Sequence, residues 1–149
     1  MARPSFTVAE VEELIPALER IFVEVLQLRA GLRGLEEKLD RAGVRMNRTD
    51  GDGPDDEKLP LELRQAKAVF RGYYEALSDD IEQVRALGGE IKDLESGLVD
   101  FPSRQGGEEI LLCWKLGEKD IQFWHPVDGG FASRRPIDEQ VSRSPQRLD

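Results

Sequence analysis

The sequence predicts an α+β fold: a long antiparallel helical hairpin of coiled-coil character, followed by a small, mainly antiparallel β-sheet. Three observations carry this. Two stretches, 8–42 and 60–87, place apolar residues at alternating spacings of three and four, the mark of a heptad seam. Gly88 and Gly89 then end the pattern. From Gly89 to Phe131 the period falls to two, and this stretch holds the only His, the only Cys and both Trp of the chain.

The first helix opens with a start signal. Thr7 and Glu10 are spaced as a capping box, and Phe6 with Val11 forms the matching hydrophobic staple. The seam is Val11, Leu14, Leu18, Ile21, Val25, Leu28, Leu32, Leu35 and Leu39. Pro16 lacks the amide that would bond Glu12, so a kink is expected inside a helix that continues. Gly31 and Gly34 weaken the helix by about 1 kcal/mol each and suit the close approach of a second one. Ile15 and Phe22 widen the apolar stripe in the first half only, which predicts contact there beyond the hairpin partner.

The connection 43–58 reads as a mobile acidic loop. Its Asp50, Asp52, Asp55 and Asp56 do not make a calcium loop, because Pro54 stands where the third oxygen ligand belongs and no Glu closes the loop. The second helix starts at Pro60 and ends at Gly88 as a left-handed cap. Its seam is Leu63, Ala66, Phe70, Tyr73, Leu77, Asp80, Val84 and Leu87. Asp80 is the misfit, either at a solvated margin or facing a polar pocket.

In the β segment, strands are predicted at Glu90–Leu94, at Gly97–Phe101 ending at Pro102, at Glu109–Leu116 and at Asp120–His125. A four-residue loop, Gly117–Asp120, would pair Leu116 with Ile121. That register places Ile110, Leu112, Trp114, Leu116, Ile121, Phe123 and His125 on the face packed against the helices, with Cys113 and Trp124 on the other.

His125 then closes the apolar face at the strand end, and Asp128 follows before Gly129-Gly130. Imidazole and carboxylate at this spacing can share a divalent metal, with Asp93 or Asp100 as the third ligand. Zinc or manganese suits one His among carboxylates. The rings of Trp114 and Trp124 can stack on a ligand, and Arg134 stands with them as a ligand-binding candidate. Cys113, apart from His125 in this register, reads as an unreactive buried thiol.

One domain spans 1–149: the hairpin at 7–88, the sheet at 89–131 and a solvated tail at 132–149. A net charge of -9 and the absence of a basic patch speak against nucleic acid and anionic membrane surfaces as partners. The tail arginines, Arg134, Arg135, Arg143 and Arg147, are interspersed with Asp138, Glu139 and Asp149. One cysteine, no leader-like N-terminus and no apolar run of about 20 residues point to the cytoplasm.

KDLESGLVDFP (Lys92 to Pro102), LLCWKLGE (Leu111 to Glu118), WHPVDGGFASRRP (Trp124 to Pro136) and the opening FTVAE (Phe6 to Glu10) resemble the bacterial domain-of-unknown-function family numbered 2203. Glu12 stands where that family usually carries Asn. The resemblance implies the architecture and draws attention to Asp93, Asp100, Cys113, Trp114, His125, Asp128 and Arg134, while attaching no activity. Two function classes follow. The first is an oligomerising interaction module, expected as a homodimer built on the helices because Ile15, Phe22 and Val69 lie outside the seams. The alternative is a small metal- or ligand-binding domain, with or without catalysis, whose site lies in the β segment. The sequence gives no reaction.

Overall fold

A computed structural model describes residues 5–46 and 56–137. Helix α1 spans Val8–Arg41 and α2 spans Leu61–Ala86. Five strands follow as an antiparallel meander in the order β1 to β5: Glu90–Asp93, Leu98–Gln105, Glu108–Lys115, Phe123–Pro126 and Arg135–Pro136. The chain packs as two compact units, Met1–Phe22 with Ile81–Asp149, and Val23–Asp80. Among the described residues, no helix is long and apolar enough to cross a membrane.

The predicted capping box forms: the Glu10 amide donates to Thr7 Oγ1 at 3.1 Å and the Thr7 amide to Glu10 Oε1 at 3.0 Å. α1 then runs unbroken through Pro16.

In the unit Val23–Asp80 the two helices lie antiparallel. Val25, Leu39, Ala66, Phe70 and Leu77 are buried, each large aliphatic side chain contributing on the order of 1.5–3 kcal/mol. Gly31 earns its place here, since a Cβ on it would stand 2.6 Å from the Tyr73 ring. Lys67 closes on Asp56 at 2.6 Å in a mostly buried pair, tying the 3₁₀ turn Asp56–Lys58 to α2. Asp50, Asp52 and Asp55 lie outside the described residues. Asp80 is not at a solvated margin: it is 4% exposed, and its Oδ2 has no hydrogen-bond partner. Burial, reinforced by the neighbouring Glu24 and Asp79 carboxylates, pushes its carboxyl up to about 6.

In the other unit, Phe22 packs against Trp114 and Phe6 meets Phe101 edge-on. The extra stripe at Ile15 and Phe22 is therefore covered by this chain. Gly88 adopts the left-handed cap, φ 102°, with the Phe6 ring where a Cβ would be. Strand β2 does not stop at Pro102 but continues to Gln105. The Pro102 carbonyl accepts the Phe6 amide at 2.8 Å, so its nitrogen also faces away from β3, and the missing N–H costs no ladder bond. The β2–β3 hairpin closes on Gly106-Gly107, both at positive φ. Strand β4 begins at Phe123, three residues later than expected, and Arg135–Pro136, assigned to the tail, forms a fifth strand.

The β3–β4 register is slipped by one residue from the sequence expectation. Cys113 pairs with Phe123, Leu112 with Trp124 and Leu111 with His125. Because side chains alternate, the slip exchanges the two faces of β4. Phe123 and His125 now share a face with Cys113, while Trp124 joins Leu112 and Trp114 on the face against α1. The loop sets this register. The Ile121 amide donates to Glu12 Oε2 at 3.1 Å, the Trp114 indole to the Glu118 carbonyl at 3.0 Å, and the Lys115 amide to Glu118 Oε1 at 2.6 Å. These bonds open the turn into residues 116–122 in place of a four-residue hairpin.

Candidate metal centre on the outer sheet face

Asp100 on β2 and Cys113 on β3 are direct cross-strand partners. His125 on β4 sits diagonally across from Cys113. Their potential ligand atoms all lie within 4.8 Å of one another, and the residues are 1%, 0% and 2% exposed.

The imidazole is held at both nitrogens. Nδ1 stands 2.8 Å from the Pro126 carbonyl oxygen and Nε2 stands 2.9 Å from Asp100 Oδ2. A carbonyl only accepts, so the network assigns a hydrogen to Nδ1. Nε2 then points its lone pair at a carboxylate unless a proton or a metal cation lies between them. The second Asp100 oxygen, Oδ1, is buried with no hydrogen-bond partner among the described residues. This is acceptor-rich ground.

Cys113 is held as a thiol. Burial pushes it up to about 12; the Asp100 carboxylate adds to the shift and Arg134 opposes it. A metal ion would reverse that balance, since coordination deprotonates a thiol outright.

Arg134 borders the cluster. It donates to Glu118 Oε1 and Oε2 at 2.8 and 3.1 Å and to the Cys113 carbonyl at 3.2 Å. Its guanidinium lies over the rings of Phe123 and Phe131, at 4.2 and 4.8 Å from their centroids.

Of the residues singled out in the sequence, His125 and Asp100 come together. Asp93 and Asp128 do not join them. Asp93 is exposed and bonds the amide and hydroxyl of Ser96, and Asp128 is exposed in the turn after β4. Cys113 takes the third corner. Trp114 and Trp124 are buried in the face against α1, and Arg135 stacks over Trp124 at 5.2 Å. Glu12, the departure from the resembled pattern, anchors the β3–β4 loop.

A family profile described as "Uncharacterized conserved protein (DUF2203)" matches residues 5–137. No curated protein and no solved structure matches the chain.

Proposed function

This chain belongs to the DUF2203 family of uncharacterised conserved proteins, and from that premise we propose that it binds a divalent transition metal through Asp100, Cys113 and His125. One observation carries the reading. Both ring nitrogens of a buried imidazole face oxygen acceptors, and a buried carboxylate oxygen and a thiol stand beside them. The Nδ1–H bond to the Pro126 carbonyl is the outer-shell contact that fixes a ligating histidine's tautomer and aims Nε2. A carboxylate and a thiolate neutralise a dication without leaving buried charge. With sulfur in the set, zinc is favoured over manganese. Three protein ligands leave one tetrahedral position for a water or a substrate atom.

Cobalt(II) titration tests this directly. One equivalent should bind and produce a thiolate-to-metal absorption band, which Cys113→Ser abolishes and Asp128→Asn leaves intact. Zinc should displace the cobalt. Loading must release the thiol proton, so affinity falls as pH falls. A protein that holds no stoichiometric metal, or whose spectrum is indifferent to Cys113, would leave the cluster as a proton-bridged structural pair.

A second reading, an oligomerising interaction module, is supported by the hairpin unit. Val23, Leu26, Val69 and Tyr73 are exposed there, at 53, 40, 43 and 39%. The partner is a second copy of the chain. Light scattering at micromolar concentration should give twice the chain mass, and Val69→Glu should return it to one. A clean monomer at that concentration rules this reading out.

A further inference from the structure

We infer that the segment Phe131–Arg134 is a strap over the outer sheet face, and that Arg134 is the latch controlling entry to the Asp100–Cys113–His125 cluster.

The cluster is closed: its three residues are at most 2% exposed. An ion or a reagent reaches Cys113 only when something moves. Cys113 and Phe123 share the outer face as cross-strand partners. The Arg134 guanidinium lies on the Phe123 ring and bonds the carbonyl of Cys113 itself. It is therefore seated next to the thiol.

The strap has little else to hold it. Its 3₁₀ turn, Phe131–Ser133, contains no buried residue, and Phe131 is 49% exposed. Ser133 Oγ bonds only within the turn, taking the Gly130 amide and donating to the Gly130 carbonyl. Beyond the two-residue strand β5, the Ile137 amide bond to the Gln122 carbonyl that follows it and the Lys115 ammonium over the Phe131 ring, the fixed point is Arg134, whose Nη2 bonds both Glu118 oxygens and whose guanidinium lies over two rings. The Arg134 and Glu118 side chains are 12% and 17% exposed, so the pair is largely shielded from water, and losing either partner unseats the other. A segment with few buried contacts and one ionic anchor opens locally at far lower cost than the sheet unfolds. The Glu118 that receives the latch also bonds the Lys115 amide, so the latch closes on the loop that sets the β3–β4 register.

The metal reading concerns what the cluster holds, and the strap concerns how it is reached; the test separates them. The first arm uses no metal. Cys113 is titrated with Ellman's reagent in the native protein, in Arg134→Ala and in Glu118→Gln. Labelling should be slow in the native protein and at least tenfold faster in both variants. The urea midpoint of each variant is measured alongside to exclude global unfolding. Arg134→Lys, which keeps the charge but loses the planar stacking on the rings, should fall between. If Arg134→Ala is poorly folded, Glu118→Gln carries the test. Folded variants that label at the native rate would overturn the strap. The second arm follows zinc transfer to a chelator. Uptake and release should both accelerate with the equilibrium constant within about threefold, because a gate changes rates and not the ligand set. Acceleration confined to release would mean that Arg134 supports the ligand set instead of gating it.

Discussion

His125→Ala lowers the stability of the metal-free protein by about 3–5 kcal/mol, the usual cost of leaving a buried carboxylate without its partner. The size follows from what remains. Asp100 is 1% exposed, one of its oxygens already lacks a partner, and the substitution takes the donor from the other. Asp100→Asn should cost clearly less. Its amide donates to Nε2 of the Nδ1-protonated tautomer, so the imidazole keeps both bonds and no charge is stranded. Urea denaturation at neutral pH in the presence of a chelator reads both values. A loss under about 1 kcal/mol for His125→Ala, typical of an exposed pair, would mean that water reaches the cluster. Domains of this kind are stable by about 5–15 kcal/mol, so the expected loss takes a large share of the total.

Asp80→Asn is expected to stabilise the protein by about 2–3 kcal/mol at pH 7.5 and to have almost no effect near pH 4. The folded-state carboxyl is raised from 3.8 to about 6 by burial and by the Glu24 and Asp79 carboxylates. Below pH 3.8 the group is protonated in both states and carries no penalty. Between about 4 and 6 the unfolded chain ionises while the folded one resists, so stability falls as pH rises through this window and levels off above it. Asparagine keeps the shape and donates to Glu24 at every pH, which removes the dependence. Thermal unfolding from pH 4 to 8 checks this. An equal gain at both ends would show that Asp80 titrates normally and that the benefit lies elsewhere.

Each feature legible in the sequence has a local cause. The Thr7–Glu10 box needs three consecutive peptide units, the two long helices need only the helical period, and the left-handed Gly88 ends α2 by its own freedom of φ. The candidate site was half legible for the same reason. His125 and Asp100 could be named from residue type and strand position. Asp93 and Asp128 drew notice on the same grounds, but short-range turn chemistry holds Asp93 to Ser96 and leaves Asp128 exposed. Asp80 looked like a tolerated misfit, and only the packing of the two helices shows that it is buried beside Glu24.

Cys113 is where local reading failed, and the failure is one of parity. With a four-residue turn, Cys113 and His125 fall on opposite faces of the sheet. With residues 116–122 as the loop they fall on one face, and Asp100, Cys113 and His125 come together. Two contacts decide between the two: one distant in sequence, Glu12 holding the Ile121 amide from α1, and one within the loop, the Trp114 indole holding the Glu118 carbonyl. The sequence by itself determined the helices, their hairpin and the presence of a β segment, because periodicity and caps act over a few residues. The tertiary structure decided the register, and with it which side chains meet, because a strand has period two and a one-residue slip costs nothing locally while exchanging both of its faces.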